Sequence, residues 1–287
     1  FAVHSVLANN EKPCEIILGD DASTDNSEIA CNNIIAALPD ENIIYYRNQI
    51  NLGCGRNLQK LMNTAKGEMV LFLCGDDVFV IDNAIRKVRF FGEKTDACMI
   101  SRNYYWFTES PKIPVRVKKL KKCTLDSMLG LFDQISGIAI RKSEFKGQFS
   151  NKPWVEMLSA AKYFIGEGKT FYHAAECTVG IRIGNNGSTQ KSAFDESPTM
   201  LWYELFKNSK SMVKMIASKH EGLIQVKRFG GMEKWWREVK AMVKIDKNNL
   251  FCPRFWFYVL ATGLLPAGVL GACVWLYRKI PKRVERL

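Results

Sequence analysis

The sequence predicts an α/β domain on a mainly parallel central sheet, followed by a basic helical segment that associates with a membrane. Three observations carry this. Short apolar runs alternate with helix-length stretches along residues 15–101. Two acidic pairs, Asp20-Asp21 and Asp76-Asp77, each close such a run, at the carboxyl ends where open α/β sheets bind ligands. The whole +12 charge excess falls in residues 207–287, which hold 17 Lys/Arg against 5 Asp/Glu, while residues 1–206 are balanced.

In order along the chain, residues 15–19 form a short apolar run that reads as a buried strand. Ser23 or Thr24 can cap a helix to about Leu38, which Pro39 ends. Ile43–Tyr46 is a second strand. A turn at Asn51-Leu-Gly-Cys-Gly leads to a helix at Arg56–Lys66, with Gly67 as its C-cap. Met69–Leu73 is a third strand, stopped by Gly75-Asp76-Asp77. A helix near Ile81–Phe91 and a strand at Ala97–Ser101 follow. Arg116–Lys122 is a basic run expected as a solvated loop. Gln134–Arg141 reads as a strand, and Pro153 suits the first turn of a helix through Phe164. Thr178–Ile183 is a last strand before a polar loop at Gly184–Lys191. Residues 199–247 read as helical.

Composition narrows the function. With 47% hydrophobic and 24% charged residues, the chain is not disordered, collagen-like or a coiled coil. Nine Cys at scattered spacing, with no CxxC, argue against a disulfide framework or zinc site and for reduced thiols in a cytosolic protein. A basic tail invites nucleic acid or anionic lipid. No zinc finger, RNP or helix-turn-helix signature supports nucleic acid, which is the rival class. GxGxxG fails at Leu58, no P-loop is present, and no GxSxG surrounds a Ser. The Asp21–Asn32 stretch lacks the Gly and Glu of a calcium loop. Paired carboxylates at strand ends suit a divalent cation and the hydroxyls of a nucleotide.

Taken in order, GDDASTD, then NLGCGRNLQKLMNTAKGEMVLFL, then CGDD resemble the family 2 glycosyltransferases of the GT-A nucleotide-sugar-binding fold. The resemblance runs over residues 1–195 and is strong over 15–77. It implies a GT-A domain over 1–200 and a basic helical region over 201–287. The family's opening strand is expected before Phe1, so the chain reads as truncated at its N-terminus, with Phe1–Leu7 the tail of the first helix.

The resemblance also implies roles. Asp21 would contact the nucleobase with Asp20 beside it. Asp76 would bind the ribose side and share the metal, and Asp77 would coordinate Mg²⁺ or Mn²⁺. Cys74 stands where the family often has an acid. Arg56 matches a position that can face the diphosphate, or is a solvated helix residue. Glu156 falls where the family carries the Asp of a Glu-Asp pair, with Val155 replacing the Glu, and would be the general base. If not, Asp126, Asp133 or Glu176 would take that role. Arg182, in a stretch like the family's Tyr-Arg-x-His, would reach a phosphate; Gly184 replaces the His. Trp154 would stack on an acceptor sugar or serve as a core or rim aromatic.

The implied protein is an inverting, metal-dependent hexosyltransferase. Its donor is a UDP- or dTDP-sugar, and its acceptor a glycan or lipid-linked hydroxyl in cell-surface polysaccharide synthesis. A non-catalytic relative is the alternative. Phe255–Tyr277 is uncharged and flanked by Arg254 and Arg278, long enough to span a bilayer. Pro266 at its middle favours instead two short helices on the cytoplasmic face of the cell membrane, held to anionic lipid by the basic flank.

Overall fold

The computed structural model describes residues 1–80, 82–107, 121–122, 134–182, 194–220, 222–266 and 269. The chain divides into two compact units, Phe1–Gly184 and Asn185–Leu287. In the first, a short helix α1 (Ala2–Leu7) precedes strand β1 (Ile16–Asp20), helix α2 (Ser27–Ala37), strand β2 (Ile43–Arg47) and helix α3 (Cys54–Thr64). Strands β3 (Met69–Leu71) and β4 (Val78–Phe79), helix α4 (Ala84–Lys94) and the long strand β5 (Ala97–Phe107) follow. Strands β6 (Lys121–Lys122) and β7 (Ala139–Arg141), helix α5 (Glu156–Gly166) and strand β8 (Thr170–Arg182) complete it.

The sheets are not mainly parallel as expected. β1 and β2 form a parallel pair, but the larger sheet is mixed, ordered β3-β7-β5-β8-β4 with β6 also on β8. Within it only β5 and β8 run parallel, while β7 lies antiparallel between β3 and β5. The late strand β7 is short because residues 136–137 turn, with Gly137 at φ 79°. That conformation favours glycine and stops the expected Gln134–Arg141 strand from starting early.

Apolar patterning sets the packing. Val88 and Phe91 of α4 bury against Ala97, Ile100, Ala139 and Ala174 of β5, β7 and β8. On α5, Met157, Leu158, Ala161 and Phe164 are buried. Phe164 packs with Phe145 and Phe171 at ring separations of 5.5 and 6.1 Å. On α3, Leu58 and Met62 turn inward.

The second unit is helical: α6 (Pro198–Phe206), α7 (Lys210–Ala217), α8 (Gly222–Gln225), a π-turn, α9 (Gly231–Ile245) and α10 (Pro253–Leu264). Ser197 and Ser209 cap α6 and α7 by accepting from Met200 and Met212 amides. Buried Asn249 donates to the Ala217 and Met242 carbonyls at 3.0 and 3.1 Å. Its carboxamide oxygen lies 2.9 Å from His220 Nε2. Trp235 Nε1 donates to Thr262 Oγ1 at 2.8 Å, linking α9 to α10. Helix α10 stops at Leu264 because Leu265, before Pro266, is extended. No helix among the described residues is long and apolar enough to cross a membrane. The expected second short helix after Pro266 falls almost wholly outside the described residues, as do Asp126, Asp133, Gly184 and residues 116–120 of the basic run, whose last two, Lys121 and Lys122, are not loop but strand β6 paired with β8.

Candidate active site

The site begins where β1 ends. Asp20, buried, accepts from the Ser23 amide at 2.7 Å, the Tyr45 hydroxyl at 2.7 Å and Arg47 Nη1 at 2.8 Å. Burial works to raise its pKa, but the hydrogen bonds from Ser23 and Tyr45 and the Arg47 charge outweigh it and hold the carboxyl below its usual range. Asp21 is equally committed. It accepts from Asn48 Nδ2 and from the Leu52 and Gly53 amides, each at 2.8 Å. It thereby clasps the 48–53 loop that leads into α3. Between these clasps and the helix α2 cap, Ala22 takes φ 59°, a left-handed turn in which a side chain is uncommon.

The α3 N-terminus is pressed against the segment before α5. Gly53 has φ 85°. Asn151 donates to the Leu52 carbonyl at 3.1 Å and accepts from the Arg56 amide at 3.3 Å. A Cβ placed on Gly55 would sit 2.0 Å from the Ser150 carbonyl oxygen, so only glycine allows this approach. Arg56 is exposed on the first turn of α3.

Glu156 opens α5 and is only 9% exposed. The helix starts three residues later than Pro153 suggested, because Trp154 adopts φ 70°, outside helical geometry. Burial pushes the Glu156 carboxyl up to about 7, against hydrogen bonds from the backbone of Glu156, Val155 and Trp154 and from the Cys54 thiol. Cys54 is the first residue of α3, so Glu156 and the Asp21-clasped loop meet at that helix start.

The second acidic pair follows β3. Asp77, 4% exposed, accepts from the Ser136 hydroxyl and, at 2.9 Å, from the Arg182 amide. Burial raises it to about 6, opposed by those two hydrogen bonds. Both oxygens of the residue expected to hold the cation are therefore engaged by the protein. Asp76 beside it is exposed and makes no hydrogen bond with a described residue. Burial pushes the Cys74 thiol up to about 12. Arg182 is brought to this pair by its amide, while its guanidinium lies 4.9 Å over the Phe1 ring. Among the described residues, no three His, Cys, Asp or Glu are grouped to hold a metal alone.

The sequence reading missed Ser136, Asn48, Asn151 and Cys54. Ser136 lies in a stretch read as strand interior, yet its hydroxyl accepts from the Cys74 amide at 2.9 Å and donates to Asp77. The closely spaced Gly53 and Gly55 were the available signal for the Asn151 contact.

The architecture is that of the GT-A glycosyltransferases. The chain is similar to TarS residues 1–349 of S. aureus in complex with UDP-GlcNAc, at TM-score 0.57 and 13% identity over 85% of this chain and 75% of that one. It is similar to the mannosyltransferase PcManGT of Pyrobaculum calidifontis in complex with GDP-Man and Mn²⁺, at TM-score 0.53 and 13% identity over 96% and 82%. GalNAc-T7 with UDP, GalNAc and Mn²⁺ matches at TM-score 0.55 and 14% identity over 93% and 55%. The chain belongs to glycosyl transferase family 2, whose family model matches residues 1–146. It is also 32% identical to the glycosyltransferase GlyG of Streptococcus pneumoniae serotype 4 over 109 residues, which is 38% of this chain and 35% of that relative.

Proposed function

We propose that the chain is an inverting glycosyltransferase. It moves a sugar from a nucleoside-diphosphate donor, a UDP- or dTDP-sugar, to a hydroxyl of a glycan or lipid-linked acceptor in cell-surface polysaccharide synthesis. The observation that carries this is Glu156: a buried carboxylate at a helix start, facing the clasped donor loop, with its pKa raised to about 7 by burial. A base poised near neutrality is matched to deprotonating an acceptor hydroxyl. The acceptor proton passes to the Glu156 carboxylate as the acceptor oxygen bonds to the anomeric carbon. The bond from that carbon to the phosphate oxygen breaks, and the nucleoside diphosphate leaves with the electron pair.

The residues fit a divalent cation held jointly with substrate. One exposed carboxylate, Asp76, with no competing protein donor suits Mg²⁺ or Mn²⁺, which is commonly bound by one or two carboxylates plus phosphates and water. Such a cation would supply charge stabilisation to the departing diphosphate. The solved relatives described with Mn²⁺ support this reading. Arg56, exposed at the α3 start, is placed to meet a phosphate, and Asp21 keeps the loop beside it in register. Arg182 contributes its amide to holding Asp77.

A screen of UDP-, dTDP- and GDP-sugars with Mn²⁺ tests the proposal by donor hydrolysis and transfer. The parent turns over at least one donor, with an acid limb near pH 7 in its rate profile. Glu156→Gln keeps donor affinity, lowers turnover roughly 10²–10⁴-fold and removes that limb. Equal turnover in the two proteins overturns the assignment of the base.

A further inference from the structure

Helix α10 has two apolar faces. One packs inward through Phe255, Tyr258, Val259 and Thr262. The other holds Phe257, Leu260 and Leu264, which are 67%, 56% and 79% exposed. Their spacing of three and four places them on one stripe along the helix. Phe251, 85% exposed, and Leu250 extend exposed apolar surface into the turn before α10. Single exposed apolar residues are ordinary on a protein surface, but a continuous stripe of them marks a binding surface.

Charge decides what binds. Lys240, Lys244, Lys247 and Arg254 are exposed along the end of α9, the connecting turn and the start of α10. The one acid among residues 240–254 is Asp246, whose Oδ1 accepts from the Asn248 amide at 2.9 Å, so the cations outnumber it four to one. Trp256 is also exposed, with its Nε1 donating to the Leu250 carbonyl at 2.9 Å. An apolar stripe bordered by aromatics and lysines has the composition of a helix that lies in a bilayer interface. The sequence continues the pattern: residues 265–277 carry no charge, and Arg278, Lys279, Lys282, Arg283 and Arg286 follow. At twelve residues, α10 is about 18 Å long against a hydrocarbon core of ~30 Å, so it suits lying in the interface rather than crossing it.

We propose that the outward face of α10, with the Leu250-Phe251 turn, docks on an anionic lipid surface. The apolar stripe enters the headgroup region and the flanking lysines meet lipid phosphates. The proposal rests on this face alone and does not depend on the transfer reaction.

The test is flotation of the full chain with vesicles of phosphatidylglycerol and phosphatidylcholine, beside vesicles of phosphatidylcholine alone. The parent is expected to float with the anionic vesicles, more weakly with the neutral ones, and less as salt is raised. Phe257→Glu with Leu260→Glu should cut the partition coefficient roughly tenfold or more, with circular dichroism and melting temperature unchanged. Lys244→Glu with Lys247→Glu should weaken binding to the anionic vesicles alone. Failure of the parent to float overturns the proposal, as does a Phe257/Leu260 variant that floats as well as the parent. If that variant instead converts a dimer to a monomer while the parent ignores lipid, the face binds a second copy of the chain and the proposal falls.

Discussion

The two acidic pairs look alike in sequence and differ in what their carboxylates are doing. At Asp20-Asp21 both side chains are consumed by the protein: one holds Tyr45 and Arg47, the other holds the 48–53 loop. At Asp76-Asp77 the pair is split. Asp77 is buried on Ser136 and the Arg182 amide, and Asp76 is exposed. A carboxylate that accepts from protein donors braces the fold; one left in water does not. Two adjacent acids therefore do not imply one shared role, and the burial of each sets what it does for the fold.

This contrast can be broken most sharply at Asp77. Asp77→Ala is expected to cost about 3 kcal/mol of stability, because it strands a buried hydroxyl and a backbone amide; urea unfolding measures it. A loss under ~0.5 kcal/mol, with metal binding gone, would return the cation to Asp77. Asp76→Ala should do the reverse. In calorimetry with Mn²⁺ its donor affinity falls roughly a hundredfold, while the unfolding midpoint stays put. Unchanged donor affinity would remove Asp76 from the site. The smallest effect lies in the first pair. The folded pKa of Asp20 is held below the ordinary aspartate value of 3.8, so its contribution to stability is present above about pH 4 and lost as pH falls through the lowered folded value. Asp20→Asn should flatten that acid limb of stability; a limb of the same depth in the variant would show that Tyr45 and Arg47 do not act through Asp20.

Much of the first unit was legible in the residues. The expected strands at 15–19 and 43–46 and the helices near Leu38, Arg56 and Phe91 all match elements within a few residues, because period and turn residues agree locally. The mixed order of the larger sheet was not legible. Nothing local to Ala139–Arg141 says that it inserts antiparallel between β3 and β5. β5 extends to Phe107 past the expected end at Ser101, since pairing with β8 carries it through a register shift at Arg102–Asn103. At that step Arg102 pairs with Ala174 and Asn103 with Thr178, so the extra residues lie on β8. At the site, the acids and Glu156 were visible as residue types at motif spacing. Their engagement was not, since it depends on Ser136 and Asn151, which come from segments distant in sequence.

Gly55 carries a consequence for how this protein tolerates change. With the Ser150 carbonyl oxygen 2.0 Å from where a side chain would begin, any replacement must push the α3 start away from the segment that precedes Glu156. In a saturation library scored for transfer, position 55 would then read as intolerant as an acid that touches substrate. Scored for solubility alone, it would read far more mildly, because the displacement can be taken up by a surface loop. The gap between those two scores is a ruler for how closely the halves of the site must meet, laid down by an atom that glycine does not have.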